Sequence, residues 1–101
     1  VDLATIELGF GNDTINGGAG VDLNVRTGAG NDTVNVGAGG QGDISGGDGN
    51  DTLNGNDGAD ILAGGTGNDT ISGGAGNDIL FGGSGNDTIS DGTGSDIIYA
   101  G

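Results

Sequence analysis

Between Gly64 and Ser90 the chain repeats itself every nine residues, as GGTGNDTIS, GGAGNDILF and GGSGNDTIS in perfect register. Each unit carries Gly at positions 1, 2 and 4, Asp at position 6 and an apolar residue at position 8. A fixed period this short means that one structural unit is stacked on copies of itself, each burying an apolar face that it cannot bury alone. The rest of the chain is read against that unit.

With the Asp of each copy as marker, the series runs Asp2, Asp13, Asp22, Asp32, then Asp51, Asp60, Asp69, Asp78, Asp87 and Asp96. From Asp51 onward every step is nine residues, whereas the first steps are eleven, nine and ten, with Arg26 read as the extra residue in the third. Between Asn35 and Gly46 a degenerate fourth copy holds Asp43 just before Ile44, close to the marker position but not at it. It reads as a bulged coil and not a linker. Residues 1–101 therefore form a single domain, with irregular coils over 1–45 and regular coils over 46–99. The end at Ala100 and Gly101 falls at the start of another turn, so the segment is expected to belong to a larger protein.

Within a copy, six residues rich in Gly, Asn and Asp make a turn, because Gly and then Asn tolerate positive φ, and three make a short strand. Side chains alternate along a strand, so position 8 points one way and positions 7 and 9 the other. Ile15, Val34, Ile44, Leu53, Leu62, Ile71, Leu80, Ile89 and Ile98 form the expected core column, with Asn24 as its exception. Two turns and two strands return the chain to its starting side, and coils stacked at about 4.8 Å give two parallel sheets. The carboxylates then fall in two rows: Asp13, Asp32, Asp51, Asp69 and Asp87 on one edge, and Asp22, Asp60, Asp78 and Asp96, with Asp43 close to the row but not at its position, on the other.

Composition decides what such rows can do. Only 31% of residues are hydrophobic and 28 are glycine, which has the largest entropy to lose on folding, so a core alone does not stabilise this chain. Fifteen acidic residues face one basic residue, Arg26, for a net charge of −14. That excludes nucleic acid and anionic membranes as partners and favours cations. Cys and His are absent, which leaves hard oxygen ligands, and no apolar run is long enough to insert in a bilayer. Carboxylates about 5 Å apart along an edge repel one another, and a divalent cation between neighbours reverses the sign. Calcium suits them, because it accepts six to eight oxygens in flexible geometry and turn carbonyls can complete its shell.

These nonapeptides resemble the glycine- and aspartate-rich repeat of RTX proteins, G-G-x-G-x-D followed by x-apolar-x, and the resemblance covers nearly the whole chain in about ten copies. It implies an all-β fold, a right-handed parallel β-roll with two short parallel sheets and calcium-binding turns. Carried over residue by residue, it implies calcium carboxylates at Asp13, Asp22, Asp32, Asp51, Asp60, Asp69, Asp78, Asp87 and Asp96. Backbone carbonyls would come from Gly46, Gly55, Gly64, Gly73 and Gly82 and from Gly49, Gly67, Gly76 and Gly85, for roughly six to eight calcium ions in all. Departures stand at Leu8, Thr27 and Asp91 for the first Gly and at Asn56 for the second. The resemblance further implies a secreted or cell-surface bacterial protein, exported by a type I system and folding where calcium is plentiful.

Beside the carboxylate rows, the bland alternative is a solvated acidic surface, which needs no fixed register. Asp48, Asp57 and Asp91 lie off position 6 and read as turn residues, as do Asn50, Asn68, Asn77 and Asn86, which would contribute carbonyls. No carboxylate pair is set apart as a catalytic acid and base, so the chain reads as a non-enzyme. The outer faces differ. One carries Thr14, Thr33, Thr52, Thr70 and Thr88; the other carries Leu23 with Val25, Ile61, Ile79 with Phe81, and Ile97 with Tyr99, a stripe suited to a flanking domain or a second copy. The expected function is a calcium-binding structural module supporting secretion and extracellular folding. The alternatives are an extracellular module binding carbohydrate, a surface or ice, or the accessory module of a secreted enzyme such as an alginate epimerase.

Overall fold

A computed structural model of the chain describes residues 2–101. Eleven strands alternate between two sheets: β1 (Asp2–Glu7), β2 (Thr14–Asn16), β3 (Val21–Arg26), β4 (Thr33–Asn35), β5 (Gly42–Asp48), β6 (Thr52–Asn54), β7 (Ile61–Thr66), β8 (Thr70–Ser72), β9 (Ile79–Ser84), β10 (Thr88–Ser90) and β11 (Ile97–Tyr99). The odd strands form a six-stranded sheet in chain order and the even strands a five-stranded one, with every pairing parallel. This is an all-β parallel solenoid of about five turns, without helix among the described residues. It forms a slab of 30 × 26 × 13 Å, the thin dimension being what two facing sheets about 10 Å apart require.

Between the sheets lie two stacked columns, Val25, Ile44, Leu62 and Leu80 from one and Val34, Leu53 and Ile71 from the other, all buried. Ile6, Ile15 and Ile89 continue them toward the ends. Stacking in register is what makes single apolar residues sufficient: each side chain is covered above and below by its own counterpart, and the facing column closes the third side. At the last coil only one neighbour remains, and Ile98 is 43% exposed.

Four expectations need correction. The core column has no polar exception, because Val25 pairs with Ile6 and Ile44 while Asn24 faces outward. Leu23 and Val25 are both buried, so neither belongs to the outer apolar stripe. The extra residue of that copy sits in the turn before Leu23 and not at Arg26, which pairs in register with Ser45. Likewise the fourth copy has no bulged strand. β5 pairs without interruption to β3, and the added residue lies in the turn between Val36 and Gly42.

The repeated glycines are required by close approach. At Gly85, φ is +110°, and a Cβ would collide with the carbonyl oxygen of Gly67 one coil below. Where the second Gly is replaced, at Asn56, the residue still adopts φ 70°, the left-handed conformation that Asn tolerates best after Gly.

Candidate metal sites

Each regular turn ends in an aspartate whose carboxylate points back into the roll. Along the first edge, Oδ1 of Asp32, Asp51, Asp69 and Asp87 accepts the backbone N–H of the aspartate one coil earlier, at 2.7 to 2.9 Å. Along the second, Oδ1 of Asp60 accepts from Gly42 at 2.6 Å, that of Asp78 from Asp60 at 2.9 Å and that of Asp96 from Asp78 at 2.8 Å. One oxygen of each carboxylate thus staples coil to coil.

The other oxygen has no partner. Oδ2 of Asp32, Asp51, Asp60, Asp69, Asp78, Asp87 and Asp96 is buried without a hydrogen-bond donor. A buried polar atom left unsatisfied costs about 1–3 kcal/mol, more when charged. At Asp51, Asp60, Asp69, Asp78 and Asp87 the space it faces is kept open by the first glycine of the repeat. A Cβ on Gly55 would lie 2.5 Å from Asp60 Oδ2 and 2.7 Å from the carbonyl oxygen of Gly73; one on Gly82 would lie 2.6 Å from both Asp87 Oδ2 and the carbonyl oxygen of Ala100. Gly46, Gly64 and Gly73 hold the same place before Asp51, Asp69 and Asp78. At Gly46, Gly55, Gly73 and Gly82 the pocket therefore joins an orphaned carboxylate oxygen to a carbonyl of the following coil, a donor set of oxygens only. Hard, flexible calcium fits it. No three acidic side chains converge among the described residues, so a cation there takes much of its shell from the backbone. Gly49 and Gly67 direct their carbonyls at the fourth-position glycine of the next coil.

The electrostatics point the same way. Burial pushes the Asp51 carboxyl up from 3.8 to about 6, partly offset by the hydrogen bond from the Asp32 N–H and reinforced by the charges of Asp69, Asp32 and Asp48. Burial does the same at Asp60, again to about 6, with Asp78 and Asp57 adding to it against the Gly42 hydrogen bond. Asp69 and Asp78 are raised for the same first reason, desolvation, with Asp87 and Asp96 as like-charged neighbours. Burial raises these carboxyls because no cationic side chain compensates their charge, and a divalent cation supplies that compensation.

The rows differ in completeness. Asp13, Asp32, Asp51, Asp69 and Asp87 follow one another along the first edge, although at Asp13 only the N–H joins the ladder. The second row begins only at Asp60. Asp22 stands one residue off it and accepts the N–H of Gln41, at 2.8 Å, while Leu23 occupies the row position. Asp43 is aligned with Asn24 and Ile61 on the outer face and joins no pocket. On the first edge Thr27 replaces the pocket glycine before Asp32; it is fully buried, and its hydroxyl donates to the Gly46 carbonyl at 2.7 Å.

Sequence reasoning missed the part played by asparagine side chains. Oδ1 of Asn12, Asn31, Asn50 and Asn68 accepts the backbone N–H of the asparagine one coil later, and Asn77 does so for Ser95, at 2.8 to 2.9 Å. Asn staples forward and Asp staples backward, so in the turns ending at Asp32, Asp51 and Asp69 the two adjacent N–H groups are both satisfied. The recurrence of Asn just before Asp was the signal available. Of the off-register carboxylates, Asp48 is the last residue of β5 and not a turn residue; it pairs with Thr66 and accepts its hydroxyl at 2.8 Å.

A parallel β-solenoid with glycine-gated pockets of carboxylate and carbonyl oxygen along its edges defines a cation-stabilised repeat module. A family model for the RTX calcium-binding nonapeptide repeat (4 copies) matches residues 5–23, 24–40, 37–71, 55–89 and 72–101. The chain belongs to this family and is a calcium-binding repeat module. No curated protein and no solved structure gives a match.

Proposed function

We propose that this chain is a calcium-operated folding module of a larger secreted bacterial protein, structural in role and not catalytic. The observation that carries this is the set of buried, donorless Oδ2 atoms, of which those of Asp51, Asp60, Asp69, Asp78 and Asp87 face glycine pockets. Such a roll is unfavourable where calcium is scarce and closes where calcium is plentiful, which couples ordering to arrival outside the cell. Asp51, Asp60, Asp69, Asp78 and Asp87 hold the ions beside their pocket glycines, Asp32 and Asp96 add their donorless oxygens to the two rows, and Asp13 closes the first edge. Asp22, off its row, contributes least. Circular dichroism tests the proposal: a mostly disordered chain in chelator and β structure in millimolar calcium are expected, and equal β content in both would refute it.

The odd-strand sheet supplies a contact surface for a flanking domain or a second copy. Ile61, Phe81, Ile97 and Tyr99 are 38–56% exposed, and the Phe81 and Tyr99 rings stack with centroids 5.0 Å apart. Sedimentation in calcium of the chain and of Phe81→Ser with Tyr99→Ser tests this; a strictly monomeric wild type that no flanking segment protects on this face would refute it.

One observation favours a second activity for the opposite face. Asn16, Asn35 and Asn54 are linked by side-chain hydrogen bonds of 2.9 and 2.5 Å beside the aligned threonines, giving an ordered polar array suited to carbohydrate or ice. A glycan array and an ice-recrystallisation assay on the calcium-bound chain decide it, and inactivity in both removes this second reading.

A further inference from the structure

Two turns of the second edge end without an aspartate, and in both an apolar side chain fills the space. In a regular turn of that edge, Gly55 to Asp60, the carboxylate of Asp60 occupies the room left over Gly55. In the turn 17–23 the closing residue is Leu23, which pairs with Gly42 and so falls in the row of Asp60. Its Cδ1 lies 3.0 Å from where a Cβ on Gly17 would sit, so a methyl group stands over the glycine as Asp60 Oδ2 stands over Gly55. In the turn 36–42 the exchange is reversed. Val36 stands at the place of Gly55, its N–H bonded to Asn54 O as the Gly55 N–H is bonded to Ser72 O, and Gly42 stands at the place of Asp60. Val36 Cγ2 lies 2.6 Å from where a Cβ on Gly42 would be, so the valine excludes any side chain there.

Leu23 and Val36 are each 3% exposed, and both turns are one residue longer than the regular six. Length and side-chain exchange change together and at the same two places. A hydrocarbon side chain brings no charge into the turn and leaves no oxygen in want of a donor.

We infer that the turns 17–23 and 36–42 are cation-free closures, which make the second edge apolar in its first half and metal-bound from Asp60 onward. This rests on the reading of the regular turns as calcium sites. The chain then contains a segment whose second edge is ordered by packing alone, on which the calcium-dependent coils are stacked. Withdrawal of calcium loosens the second edge first at Asp60, Asp78 and Asp96, while Leu23 and Val36 stay packed against the column of Val25 and Ile44.

The decisive experiment counts bound calcium per chain, by equilibrium dialysis with elemental analysis, before and after residues 36–42 are replaced by the regular turn sequence of residues 73–78. The graft restores a glycine facing an aspartate and is expected to bind one more ion than the wild type. An equal count in a folded graft overturns the inference, whereas a wild type that binds no calcium overturns the underlying reading instead. Val36→Ala decides the matter if the graft fails to fold. Its ion count should be unchanged while its calcium midpoint for folding rises by roughly 1.5- to 2-fold, the loss of buried methyl groups being shared among several cooperatively bound ions. A lost ion in Val36→Ala, or an unshifted midpoint, would also overturn the inference.

Discussion

Replacing Asp60 by asparagine should stabilise the roll without calcium and destabilise it with calcium. Asp60 is 1% exposed, its Oδ1 accepts the Gly42 N–H and its Oδ2 has no donor. Burial lifts its carboxyl from 3.8 to about 6, which corresponds to at most about 3 kcal/mol of unfavourable charge at neutral pH. Solvent screening at the turn reduces this to about 1–2 kcal/mol. The amide keeps the acceptor for Gly42, carries no charge, and offers an N–H in the pocket bordered by the Gly73 carbonyl. In chelator Asp60→Asn should therefore be more stable by about 1–2 kcal/mol.

Calcium reverses the balance. At a free concentration of 100 Kd, one occupied site contributes about 2.7 kcal/mol, which the variant forgoes at this turn. The net loss is about 1 kcal/mol, and it grows by about 1.4 kcal/mol for each further tenfold rise in calcium. Urea titrations followed by circular dichroism at neutral pH, over a series of free calcium concentrations, measure both signs. An excluded osmolyte brings the chelated chain into a measurable range. Destabilisation of Asp60→Asn at every calcium concentration would refute the argument, because Asp60 would then act through its fold contacts and not as a cation ligand.

Asp51 and Asp60 have carboxyls raised by burial from 3.8 to about 6, so the metal-free roll keeps their contribution below about pH 4 and loses it as pH rises through about 6; burial raises Asp69 and Asp78 in the same direction. Acidification in chelator should increase the β signal, and calcium affinity should fall over the same window because protons compete for the same oxygens. Thr27→Val preserves shape but leaves the buried Gly46 carbonyl without its donor, and should lower stability in saturating calcium by about 1–3 kcal/mol in chemical denaturation. Gly85→Ala places a Cβ against the Gly67 carbonyl at φ +110° and should cost more than about 2 kcal/mol in the same assay; a loss within the range of ordinary surface substitutions would contradict the stacking geometry.

What was legible in the sequence is what the period controls. Nine residues per copy and an apolar eighth position place Ile44, Leu53, Leu62, Ile71 and Leu80 in the core and put the odd and even strands in opposite sheets, because two-residue alternation and stacking leave no other arrangement. From Asp51 onward the edge rows follow by counting. The count fails before that point for a physical reason. A turn of Gly-rich sequence absorbs an added residue without disturbing the strands on either side, so register is set by what is buried and not by spacing from the last aspartate. Leu23 and Val25 both carry apolar side chains that must go inside, and burying both puts Asn24 on the outer face and Asp22 one residue short of its row. The same competition acts at Val36. An apolar residue in a glycine position looks like decay of the repeat when positions are compared one at a time, yet Val36 and Gly42 form a complementary pair across a turn whose ends come together in space. Pairing between positions six apart in sequence is invisible to a nine-residue template that scores each position alone. It becomes visible when the void over Gly55 and the void over Gly42 are filled by residues from opposite ends of their turns.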